Sequence, residues 1–121
     1  MALTSDRNAK ENFKPVDSQA VLAKVASLPV TEWNYKTDSK DVQHIGPMAQ
    51  EFQAAFHLDG ADDTHISVVD EGGVVLAAIQ GLNQKLEETQ QAVKAKDTEI
   101  QNLEKKLDEL QAVVKQLAAN K

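Results

Sequence analysis

A chain of 121 residues with no cysteine and a net charge of −6 has room for one small domain and one extended element, and none for disulfide or thiol chemistry. No stretch approaches the roughly 18 apolar residues that a membrane helix needs, and polar residues from Thr4 onward leave no apolar signal-peptide core at this N-terminus. Residues 1–70 carry 6 Lys/Arg against 11 Asp/Glu and residues 71–121 carry 7 against 8, so the basic stripe that a phosphate backbone requires is missing and nucleic acid is not an expected partner.

Residues 5–16 are polar and without period, which predicts a loop or a short helical turn stopped before Pro15. Asp17 or Ser18 can cap a helix in which Ala20, Val21, Leu22, Val25 and Leu28 fall at helical spacing, and Pro29 ends it. Val30 to Tyr35 is β-branched and aromatic, with Thr31, Trp33 and Tyr35 on one face of a strand. Lys36 to Asp41 would then be the tip of a hairpin whose second strand is Val42–Ile45. Gly46-Pro47 opens a second helix with Met48, Ala49, Phe52, Ala55 and Phe56 on its apolar side. Asp59 to Thr64 reads as a polar loop. Ile66, Val68 and Val69 read as a short strand, and Asp70 or the Gly72-Gly73 pair as the start of a long helix. Every aromatic residue (Phe13, Trp33, Tyr35, Phe52, Phe56) lies before position 57. The core therefore belongs to the first half, and it is small enough to need help from neighbouring subunits.

The last third carries a sustained heptad. With Ile79 at position a, the a series is Ile79, Leu86, Val93, Ile100, Leu107 and Val114. The d series is Leu82, Thr89, Lys96, Leu103, Leu110 and Leu117. Ten of these twelve positions are apolar, a pattern that requires the 3.5-residue period to hold without slipping. Residues 83–120 contain neither Gly nor Pro, so nothing turns the helix back on itself, and at 1.5 Å per residue it would run about 70 Å. Mixed Ile, Leu and Val at a, with Ala92 and Val113 at g and Ala118 at e, widens the apolar face toward three strands. Thr89 and Lys96 weaken the middle of the seam. Glu99 at g faces Glu104 at e of a parallel neighbour, so charge pairing does not drive the association.

For catalysis the residues to weigh are Ser5 and Lys10. A serine hydroxyl becomes a nucleophile when a base takes its proton, and a lysine serves as that base where burial or a nearby cation favours its neutral form. Spacing alone gives no reason to pair them, because residues five apart sit about 140° apart on a regular helix. His44, His57 and His65 lack the i, i+4 spacing of helical metal ligands, and Asp59-Gly60-Ala61-Asp62-Asp63 lacks the alternating ligands and closing Glu of a calcium loop. Neither a metal nor a cofactor is expected. Gln50 and Glu51 read as a solvated helix face.

Three segments in order carry a resemblance. Ser5-Asp6-Arg7-Asn8-Ala9-Lys10 resembles the Ser-Asp-x-x-x-Lys opening of the peptidase S74 family. Leu28-Pro29-Val30-Thr31-Glu32-Trp33-Asn34-Tyr35 looks like that family's aromatic strand. Ile45-Gly46-Pro47-Met48-Ala49-Gln50-Glu51 is similar to its Gly-x-x-Ala-Gln-Glu segment. These are the C-terminal intramolecular chaperone domains of phage tailspikes and tail fibres, found also in endosialidases.

The resemblance implies a homotrimer that helps a fibre or spike domain upstream in the same polypeptide to fold in register, then releases itself. The cut would fall between Thr4 and Ser5, with Ser5 as nucleophile, Lys10 as general base, and Asp6 or Arg7 orienting the loop. The functional alternative for Gln50 and Glu51, read from the residues themselves, is contact with that loop or with the fibre. The setting it implies is a phage virion tail-fibre precursor folding in the bacterial host cytoplasm. The alternative is a permanent trimerisation cap or adhesive tip that never cuts. The expected architecture is α+β: a chaperone and autoprocessing domain of short helices and strands over residues 1–72, then a trimeric coiled-coil helix over residues 73–121.

Overall fold

The structure, a computed structural model, describes residues 2–120. After a single 3-10 turn at Arg7–Ala9 come helix α1 (Ser18–Ser27), strands β1 (Thr31–Trp33) and β2 (His44–Gly46), helix α2 (Ala49–Phe56) and the long helix α3 (Val68–Ala119). The architecture is the expected α+β one, short helices and a two-stranded sheet followed by a long C-terminal helix. No helix among the described residues is long and apolar enough to cross a membrane.

Each short element has a local cause. The Asp17 carboxylate caps α1 by accepting from Ala20 N at 3.1 Å, and Leu28 turns extended ahead of Pro29, as a residue before proline must. Strands β1 and β2 pair antiparallel, Thr31 opposite Gly46 and Trp33 opposite His44. Side chains reinforce so short a ladder. Asp38 accepts from Tyr35 N at 2.8 Å and meets His44 Nε2 at 3.1 Å across the turn. Trp33 stacks edge-on against Tyr35, 4.8 Å between centroids, and its indole N–H donates to the Gly46 carbonyl. In α2, Phe52 is buried and lies 4.9 Å from the Phe56 ring. The helix stops where His57 adopts a left-handed conformation, φ 51°. Gln53 then ties down the following loop, donating to Gly60 O and accepting from Asp59 N.

Two expectations are corrected at the head of α3. Ile66, Val68 and Val69 do not form a strand, and the helix starts at Val68 rather than at Asp70 or the Gly72-Gly73 pair. Ser67 accounts for both. Its hydroxyl accepts from Asp70 N at 3.3 Å and its carbonyl accepts from Glu71 N at 2.9 Å, while Asp70 and Glu71 place negative charge in the first turn, where the helix dipole favours it. That stabilisation offsets the roughly 1 kcal/mol that each of Gly72 and Gly73 costs inside a helix.

By contact the chain divides into two units, Met1–Leu82 and Asn83–Lys121. In the first, the buried apolar side chains among the described residues are Phe52 and Ala78. Gly81 is buried too, and a Cβ there would run into the carbonyl oxygen of Ser18, so α1 meets α3 backbone to backbone at a point where only glycine fits. In the second unit the seam residues Leu86, Val93, Ile100, Leu103, Leu107, Leu110, Val114 and Leu117 are 51–64% exposed. Ile79 and Leu82, in the first unit, are exposed to the same degree.

Candidate functional site

The N-terminal segment folds locally. The Asp6 carboxylate accepts from Asn8 N at 3.0 Å, and the Asp6 and Arg7 carbonyls accept from Ala9 N and Lys10 N. The result is one tight turn with extended backbone at Asp6 and Lys10 on either side. A turn of this kind returns the chain on itself, unlike a continuing α-helix, and it brings the two ends together. Lys10 Nζ donates to Ser5 Oγ at 2.6 Å. Both residues are exposed, and with Arg7 and Phe13 they line a shallow dent of about 360 Å³.

Of the residues singled out from the sequence, Ser5 and Lys10 are in contact, Asp6 caps the turn that brings them together, and Arg7 lines the dent. Thr4 and Ser5 lie along a second dent, apolar, with Leu3, Val68 and Val69. Phe13, Leu3, Val68 and Val69 were not picked out by sequence reasoning. For Phe13 a signal existed: Asn12 takes a left-handed conformation, φ 58°, which asparagine tolerates better than most residues, and the chain turns there beside the dent. For Val68 and Val69 the pattern pointed to a strand, which hid their place at a helix start.

The other candidates lie apart from this dent. Gln50 and Glu51 are exposed on α2. His44 is engaged with Asp38, and His65 meets Asp62 at 2.9 Å. Asp62 closes the turn after α2. Its carboxylate accepts from the Thr64 backbone N–H and hydroxyl, each at 2.8 Å, and these bonds, the backbone one foremost, hold its pKa below the ordinary aspartate range, with His65 adding to the effect.

The model of the peptidase S74 family, described as the chaperone of endosialidase, matches residues 5–60. That is the family the three sequence segments resemble, and the match begins at Ser5. No curated protein matches the chain.

Proposed function

We propose that this chain is a self-releasing trimerisation chaperone: three copies associate along α3, hold an upstream fibre or spike segment in register while it folds, and then cut the bond between Thr4 and Ser5. The observation that carries the reading is the 2.6 Å contact between Lys10 Nζ and Ser5 Oγ at the residue where the family match starts. The uncovered α3 seam and the scarcity of buried side chains in the first unit support association, because a domain with so little core gains stability by burying more surface between copies. Fibre folding depends on non-local contacts between chains, which form slowly. A helix bundle that closes early raises the effective concentration of the three chains.

The chemistry follows from the contact. With the Lys10 amine unprotonated, the proton moves along the same line from Ser5 Oγ to Nζ, and Oγ attacks the Thr4 carbonyl carbon. The C–N bond breaks as the proton passes from Nζ to the departing Ser5 nitrogen, leaving Thr4 esterified on Oγ. Water then adds to the ester carbonyl. Thr4 leaves with a carboxylate, and the serine hydroxyl is restored behind a new amino terminus. Arg7, on the rim of the same dent, supplies positive charge near the carbonyl oxygen as it becomes anionic. Cutting after assembly makes the mature fibre kinetically locked, because it cannot retrace its path through the chaperone. The setting proposed is the virion tail-fibre precursor, folding in the cytoplasm of the bacterial host.

The chaperone role is tested by expressing an upstream fibre segment with and without this chain. Folded, protease-resistant, trimeric fibre should appear only when the chain is fused. Equal yield without it would refute the role. A folded trimer that stays joined to the chain would favour the permanent cap instead.

A further inference from the structure

Residues just ahead of Ser5 and the first turn of α3 are far apart in sequence, yet Leu3, Thr4, Ser5, Val68 and Val69 wall one dent of about 440 Å³. Ser5 belongs to this dent and also to the polar one with Arg7, Lys10 and Phe13. The bond between Thr4 and Ser5 therefore lies between an apolar seat on its upstream side and the capped turn with its lysine on the downstream side. Leu3 remains 63% exposed, Val68 82% and Val69 57%, so the seat is shallow.

Attack by Ser5 Oγ on the preceding carbonyl requires that carbonyl to be held at a fixed angle to the hydroxyl and to Nζ. Misplacement by about 1 Å costs on the order of a hundredfold in rate. The Asp6-capped turn fixes the chain after the bond. The apolar dent lies along the chain before it. We propose that Val68 and Val69 form a subsite for the side chain at position 3 and act as positioning residues for cleavage, so that the chain requires an apolar residue second before the cut. This rests on the self-cleavage reading above.

The test measures the first-order cleavage rate of an upstream-extended chain by intact mass. Leu3→Lys and Val69→Asp should each slow cutting by about tenfold or more, while Leu3→Met keeps the rate. Val69→Asp places an acid in the first turn of α3, which helices accept, so the fold is retained. The double variant Leu3→Lys, Val69→Asp should cut faster than either single one, because an ion pair replaces the apolar contact. Leu3→Lys cutting at the wild-type rate, or a double variant slower than both singles, overturns the subsite. A wild-type precursor that stays whole refutes self-cleavage instead. The seat is then decided in that uncut chain by nuclear Overhauser contacts between the methyls of Leu3 and those of Val68 and Val69: their presence supports it and their absence overturns it.

Discussion

Replacing Ile100 with alanine should raise the concentration at which the assembly falls apart by about a hundredfold. Ile100 is 51% exposed in the single chain, so about half of its surface is left for neighbours to cover. Truncating a buried isoleucine costs about 2–5 kcal/mol, and the low end applies because the helix itself already covers the other half. In a parallel trimer the three copies of residue 100 meet in one layer, so the loss is about 6 kcal/mol per trimer. A three-body equilibrium has a midpoint that varies as the square root of its constant. Half of that loss, at about 1.4 kcal/mol per tenfold, gives the stated shift. Sedimentation over a concentration series reads it directly, with assembled species near 40 kDa, about three times the 13.2 kDa chain. Alanine is the better helix former, so reduced helicity of the isolated chain cannot be the cause. Gln101→Ala, one position round the helix from the seam, should leave the midpoint where it is. An unmoved midpoint in Ile100→Ala, or a wild type that sediments as a single chain at every concentration, would refute the reasoning.

Three further outcomes are expected. Lys10→Met should lower the cleavage rate of an upstream-extended chain by about 10²–10⁴-fold while sedimentation of the assembly stays unchanged. Gly81→Ala should destabilise the first unit by about 1–3 kcal/mol, since its methyl meets the Ser18 backbone and backbone yields less readily than a side chain. A melting temperature equal to or above wild type would contradict this. Asp62 should titrate below a peptide aspartate in a carbon-detected NMR titration, held there by Thr64. Its carboxylate favours the folded turn at every pH above the ordinary aspartate value, and that contribution fades as the pH falls through its own lower value.

Where a residue type enforces one backbone outcome, sequence and structure agree. Asp17 and Pro29 bound α1, Pro47 stands between the end of β2 and the start of α2, and the heptads from Ile79 onward leave no place for the last helix to end early. The head of α3 was hidden because two local signals conflict. Ile66, Val68 and Val69 are β-branched as in a strand, and Gly72-Gly73 looks like a boundary, whereas the Ser67 cap with Asp70 and Glu71 in the first turn is what prevails. The candidate site was half legible. Ser5 and Lys10 could be named from the family resemblance, but an α-helical ruler sets them apart. Their contact depends on a single turn closed by the Asp6 side chain, after which the chain becomes extended again. The apolar dent beside Thr4 depends on where α3 starts, and so was not readable before that start was known.

The most direct test is the intact mass of what an upstream-extended chain becomes after it folds. Two products are predicted, one of them beginning at Ser5, with a single uncut species for Ser5→Ala that still assembles. A wild-type chain that stays whole, or a Ser5→Ala chain that cuts at the same bond, would contradict the account.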